Sequence, residues 1–305
     1  MPRSIVSRSV RQTCQVLLAA LFVLSLGPIT TWAGQEEAAR RFAEGRALLA
    51  QGDFKAALEA FSEAAKGDPE NAEYRQEAVV LKRVLSLREQ LSTEQENWQQ
   101  TARALFAYYR SREVWKEAAA VAQLLHDKSP GTESAVLLAE ARLAMNQNEE
   151  AATLLAGLPA DQGTVQTRVL HGLALARAGR LEEARKVAGE IELPKDCPGV
   201  VCYYAARLQA LLGQADRAVN TLTCAFECTP AGELERLKEQ AKACADLAAL
   251  RTTEGFAKAL QTASKVKGGC GGCTAACPSQ TSEKKPEGCG ERQQPSKETC
   301  EHGKS

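Results

Sequence analysis

Histidine is scarce in this 305-residue chain, occurring only at 126, 171 and 302. No serine or cysteine stands in a nucleophile motif, and no glycine-rich phosphate loop follows a strand, so the chain reads as a non-enzyme that requires no cofactor. An excess of either charge is also missing: Lys and Arg number 38, and so do Asp and Glu. That balance excludes a nucleic-acid or membrane-surface partner recruited by bulk charge. Aromatic residues are only 5%, and no stretch alternates β-branched with polar residues as a strand would. Long apolar runs are absent too. The longest, Val16–Leu26, is too short for a comfortable membrane span.

That run lies behind Arg3, Arg8 and Arg11 and ahead of the small residues of Thr31-Trp32-Ala33. Residues 1–33 therefore read as a secretory signal peptide, with a mature start near Gly34. The expected location is exported, periplasmic or secreted, an uncleaved membrane anchor being the alternative. Cys14 does not follow the apolar run, which argues against a lipid anchor there. Without the leader, 35 basic residues face 38 acidic ones, still close to neutrality.

What the chain has is a recurring phrase. Gly52-Asp53-Phe54 leads to Ala57, Phe61, Ala64 and Pro69. Gly179-Arg180-Leu181 leads to Ala184 and Ala188. Gly213 leads to Ala218, Leu222, Ala225 and Pro230. The small residue early in each second helix falls at 118, 152, 184 and 218, in steps of 34, 32 and 34; the step from Ala57 to Ala118 is 61, one period plus 27 residues. A repeat of this size means stacked helix pairs. Small side chains belong where antiparallel helix axes approach to about 8–10 Å; Gly45, Ala57 and Ala64 take that role in the first copy. Asp53 is the expected N-cap of its helix, and Asp68-Pro69 the expected start of the next.

On these residues the chain resembles a tetratricopeptide repeat protein over about residues 36–230. Gly45, Leu48, Gly52, Phe54, Ala57, Phe61, Ala64 and Pro69 follow that family's pattern nearly throughout. The second copy (Tyr109, Trp115, Ala118, Ala122, Leu125, Pro130) lacks the turn glycine, and the third (Leu143, Asn148, Ala152, Ala156) is weak. The fold class is all-α: an α-α superhelical solenoid of about five helix pairs over 34–263, with an extra helix and capping helices. The extra helix, Tyr74–Leu91, accounts for the 27 surplus residues, either inserted into the stack or shifting its pairing. Ser92-Thr93-Glu94-Gln95 reads as a capping box opening the helix after it. Glu233–Leu250 and Glu254–Thr262 read as two closing helices, such as a solenoid end needs.

From residue 264 to 305, Gly, Ser, Lys, Glu, Pro and Cys dominate, a composition that cannot bury enough apolar surface to order itself. Ten of the 11 cysteines remain after the leader. An even count in an exported protein favours disulfides. Helix geometry makes Cys202–Cys224 the first candidate bridge and Cys228–Cys244 or Cys197–Cys228 the second; the alternative is buried free thiols acting as small apolar residues. In the tail, Cys270, Cys273 and Cys277, with Cys289, Cys300 and His302 to complete a shell, are candidate ligands for Cu(I) or Zn. A disulfide or mixed-thiol tail is the competing reading.

In the family the chain resembles, the first helices of successive repeats line a groove for a partner's peptide or helix. Helix phase places Phe42, Arg46 and Leu49 there, followed by Arg103 and Arg110, Leu137 and Ala141, Leu173 and Arg177, and Tyr203 and Arg207. Five arginines on one face suit acidic or carboxylate groups by bidentate pairing; the alternative is that they pair with the chain's own glutamates. The functional expectation is an exported scaffold for a protein or peptide partner, with no stable membrane span after leader cleavage. The rival is a metal-handling or thiol-redox accessory protein that works through its tail.

Overall fold

The computed structural model describes residues 29–92, 96–159, 161 and 163–266. Most of the leader, Thr93–Gln95 of the expected capping box, and all the tail cysteines with His302 lie outside the described residues. The solenoid of helix pairs expected from the sequence is what the chain forms. The helices are α1 (Ile29–Ala50), α2 (Phe54–Gly67), α3 (Ala72–Ser92), α4 (Trp98–Ser111), α5 (Trp115–Lys128), α6 (Thr132–Ala144) and α7 (Asn148–Ala156). They continue as α8 (Val165–Arg177), α9 (Leu181–Gly189), α10 (Gly199–Leu211), α11 (Ala215–Glu227) and α12 (Ala231–Ala243). A 3-10 helix, Ala245–Leu250, and α13 (Glu254–Leu260) close the array. No strand occurs among the described residues, and none of their helices is long and apolar enough to cross a membrane. Gly34, the expected mature start, lies inside α1.

Five hairpins share one turn. The N–H of Asp53, Val114, Gln147, Arg180 and Gln214 donates to the carbonyl five residues earlier, at Leu48, Tyr109, Arg142, Leu175 and Gln209, over 2.8–3.0 Å. The residue before each donor is left-handed: Gly52 (φ 83°), Glu113 (57°), Asn146 (61°), Gly179 (83°) and Gly213 (77°). This six-to-one bond around a left-handed residue satisfies carbonyls that the helix end would otherwise orphan. The second copy, recognisable but without the turn glycine, and the weak third copy make the same turn with Glu113 and Asn146.

The repeated alanines sit where helices meet. Ala57, Ala118, Ala152, Ala184 and Ala218 are at most 1% exposed. A Cβ on Gly45 would lie 2.6 Å from the Phe61 ring, and one on Gly172 would lie 2.8 Å from Leu208 Cδ2. The extra helix α3 is inserted into the stack, packing on α2 behind it and α4 ahead of it. Arg88 on α3 lies over the Phe54 ring at 4.5 Å, and Glu77 on α3 pairs with Arg112. Two apolar cores result, and α6 belongs to both: Leu138 and Ala141 enter the N-terminal core, Val136, Ala139 and Leu143 the C-terminal one.

Two boundaries differ from expectation. The helix expected from Asp68-Pro69 starts at Ala72. Asp68 instead closes α2 through its N–H to Ala64, and the Asn71 side chain accepts from the N–H groups of Glu73 (3.1 Å) and Tyr74 (3.3 Å). The closing helix expected over Glu233–Leu250 breaks at Cys244, which is extended (φ −65°, ψ 120°). Arg251 caps the freed Cys244 carbonyl at 2.8 Å. The break turns the 3-10 helix back onto α10, while α13 packs on α11.

Candidate functional site

The first helices of the pairs carry the expected groove residues, and the structure sorts them into three places. Arg110, Arg177, Tyr203 and Arg207 wall one cavity of about 580 Å³, closed on its other side by α12 through residues such as Arg236 and Leu237. Phe42, Arg46 and Leu49 wall a second of about 410 Å³, together with Glu73 and Glu77 of α3. Arg103 lines neither; it makes a bidentate pair with Glu133 on α6 at 2.7 and 2.9 Å. Of the apolar positions assigned to the same face, Ala141 and Leu173 are fully buried and Leu137 is half-buried.

The arginines of the larger cavity are paired internally, as the alternative reading of these residues has it. Arg110 reaches Glu140 at 3.3 Å, and the Glu140 side chain is 1% exposed. Gln166 Nε2 donates to the other Glu140 oxygen at 3.3 Å. Burial pushes the Glu140 carboxyl above the usual carboxylate range, against the opposing pull of Arg110. Arg177 and Arg207 share a single carboxylate: Asp246 of the 3-10 helix gives Oδ1 to Arg177 at 3.1 Å and Oδ2 to Arg207 at 2.9 Å. Arg177 also donates to the Leu143 carbonyl at 2.7 Å. The Arg207 guanidinium stands 5.5 Å from the ring centres of both Tyr203 and Tyr204, whose phenol pKa values burial raises. The chain's own closing segment thus supplies the acid that these two arginines invite.

The segment also crosses the first-helix face. Gln240 on α12 donates to Glu113, in the turn after α4, at 3.3 Å. Near the smaller cavity, the Phe42 ring lies 4.5 Å from Tyr74 and 5.3 Å from Phe61, with Arg46 6.0 Å over it.

The five cysteines of the last pair are unbonded thiols here. Four of them run in series. Cys202 interacts with both Cys197 and Cys224, and Cys224 Sγ lies 3.9 Å from Cys228 Sγ. Cys197 and Cys202 are buried, whereas Cys224 and Cys228 are half-exposed. Burial raises the pKa of Cys197, Cys202 and Cys228. Cys244 interacts with Tyr203 and lines the larger cavity, as does Cys228. Among the described residues no group of three or more His, Cys, Asp or Glu is arranged to hold a metal ion.

The sequence reading missed Asp246, Glu140, Tyr204 and Trp115 as parts of the larger cavity and its network. Glu140 and Tyr204 stand on the first-helix face three residues and one residue after Leu137 and Tyr203, so helix phase carried a signal for them. Asp246 had none, because its partners are 39 and 69 residues away.

No family model matches the chain, and no curated protein matches it. Among solved structures, the crystal structure of a tetratricopeptide repeat protein from Parabacteroides merdae ATCC 43184 is similar, at 14% identity and a TM-score of 0.39, covering 74% of this chain and 98% of that one.

Proposed function

We propose that the protein is a non-enzymatic, exported scaffold that holds a peptide segment of a partner protein against its first-helix face. The observation that carries this reading is the cavity of about 580 Å³ between the first helices and α12. Its volume is that of clefts that enclose ligands, and repeat arrays offer extended surfaces of this kind for binding. Its wall combines Trp115, Val200, Tyr203 and Leu237 with arginines already matched by carboxylates. Bulk attraction for acidic groups is thereby cancelled. The fitting partner is a segment with an aromatic or aliphatic anchor and a few polar groups, not an acidic tract.

The test is affinity capture from the protein's own cell envelope, run in parallel with wild type and Val200→Arg. Val200 is 39% exposed on the cavity wall, so the change charges the cavity without opening the core. The expected result is a partner enriched by wild type and lost by the variant, both having the same helical circular dichroism. Equal enrichment by both overturns the cavity as the binding site. Export is checked by fractionation and by an N-terminus at Gly34.

A further inference from the structure

Helix α12 walls the larger cavity with one stripe at helical spacing: Glu233, Arg236, Leu237, Gln240 and Ala243. The stripe by which it docks is thin. Leu234, Lys238 and Ala241 are its buried residues, three of 13, whereas α10 buries eight of 13. Leu234 and Ala241 join the C-terminal core. Between them stands a lysine whose side chain is 11% exposed, while its ion-pair partner, Glu235 at 3.1 Å, is 79% exposed. Water around that carboxylate weakens the pair, and the buried ammonium is left poorly compensated, which is costly. The flanks are held more firmly. Before α12, the buried Thr229 hydroxyl donates to the Ala225 carbonyl at 2.7 Å. After it come the Asp246 clamp and the buried Leu247 and Leu250. The joints between helix and flanks, Pro230 (ψ 143°) and Cys244 (ψ 120°), are extended.

We propose that α12 is a strap over the larger cavity, opening locally while both of its flanks stay docked, and that the buried Lys238 is the group that keeps it openable. When the strap loosens, the Lys238 ammonium regains water. The charge that weakens the closed form therefore favours the open one. Gln240 fastens the strap across the cavity through its 3.3 Å hydrogen bond to Glu113, in the turn after α4. Lids over binding sites are drawn from the least stable parts of a fold. With α12 as the movable wall, a peptide segment enters the cavity without parting the helices that carry Arg110, Arg177 and Tyr203. The inference rests on the reading of this cavity as the binding site and supplies its entrance. Its test contains no partner, so the strap and the cavity reading can fail separately.

The experiment is peptide-resolved hydrogen–deuterium exchange on the full chain. The expected pattern is α12 exchanging about tenfold or more faster than α10 and α11, with the 3-10 helix Ala245–Leu250 protected like α10. Lys238→Met keeps the length of the side chain and removes the charge. It should slow α12 exchange about tenfold, the low end of what replacing a buried ion pair by apolar packing yields, and leave α10 and α11 unchanged. Gln240→Ala removes the fastening from an accessible position and should speed α12 exchange about threefold, again in α12 alone. This second variant keeps the test decisive if Lys238→Met does not fold. Exchange in α12 as slow as in α10 and α11 overturns the strap. So does one common rate for α12, the 3-10 helix and α13, because the end of the array would then be fraying as a whole. A folded Lys238→Met with unchanged or faster α12 exchange overturns the role of the lysine, and unchanged exchange in Gln240→Ala overturns the fastening.

Discussion

Arg207 Nε lies 2.9 Å from Asp246 Oδ2, across 39 residues of chain, with side chains only 13% and 6% exposed. Arg177 holds the other oxygen of the same carboxylate. Removing one partner of a buried pair leaves uncompensated charge, which costs about 3–5 kcal/mol. Asp246→Ala strands two guanidinium groups at once and also frees the 3-10 helix. Its urea midpoint should fall by the equivalent of at least the lower end of that range. A loss of under about 1 kcal/mol, the scale of an exposed pair, would show that the clamp is not a closing element.

The Glu140 carboxyl gives the pH dependence. Burial raises its folded pKa above the value it has when unfolded, despite Arg110. Between those two values the folded state binds more protons than the unfolded one, so stability falls as pH rises through that window. From this group, stability is greatest below the unfolded pKa and is lost as pH climbs through the raised folded value. Glu140→Gln cannot titrate and should flatten that part of the profile. Thermal unfolding of both proteins from pH 4 to 8 checks it; parallel curves would show that the carboxyl does not control the slope.

Close approach of α1 and α2 depends on Gly45. An added Cβ there would lie 2.6 Å from Phe61 Cδ1 and 3.3 Å from the Ala57 carbonyl oxygen. The Phe61 ring is fully buried and packs on Phe42, so it has little room to yield. Gly45→Ala should therefore destabilise by about 1–3 kcal/mol, the usual cost of overpacking, although alanine is the better helix former. Chemical denaturation decides between the two effects; a stabilised variant would mean that the ring moves freely.

Glu113 holds a left-handed turn with φ 57°, a conformation that three sister turns assign to glycine. A side chain in that region costs roughly 1–2 kcal/mol. Glu113→Gly should recover about 0.5–1 kcal/mol, after losing the hydrogen bond to Gln240 and gaining freedom in the unfolded chain. The unfolding midpoint should rise. A fall of more than 1 kcal/mol would show that the Gln240 contact outweighs the backbone strain.

Much of this architecture could be read from local chemistry. Gly52, Gly179 and Gly213 mark turns because left-handed backbone favours glycine, and the spaced alanines mark close helix contacts. Glu113 and Asn146 escaped because the turn is set by its hydrogen bond, which any residue can join at some cost in strain. The start of α3 was misplaced because Asp68, Pro69 and Asn71 are all good helix starters, and only the observed bonds show that Asn71 performs the capping. The face of Arg110, Arg177 and Arg207 was legible from helix phase. Their carboxylates were not: Glu140 and Asp246 come from other elements, and pairing over such separations leaves no local pattern.

The dual allegiance of α6 sets an order of events during synthesis. Leu138 and Ala141 complete the N-terminal core, and Val136, Ala139 and Leu143 found the C-terminal one. A nascent polypeptide cannot finish its first half until residue 144 has left the ribosome. Once α6 has docked, its opposite flank is an apolar template awaiting α7 and then α8, so until Ala151, Ala152 and Leu155, and after them Val169, Leu170 and Leu173, arrive the growing chain carries a sticky, unsealed edge.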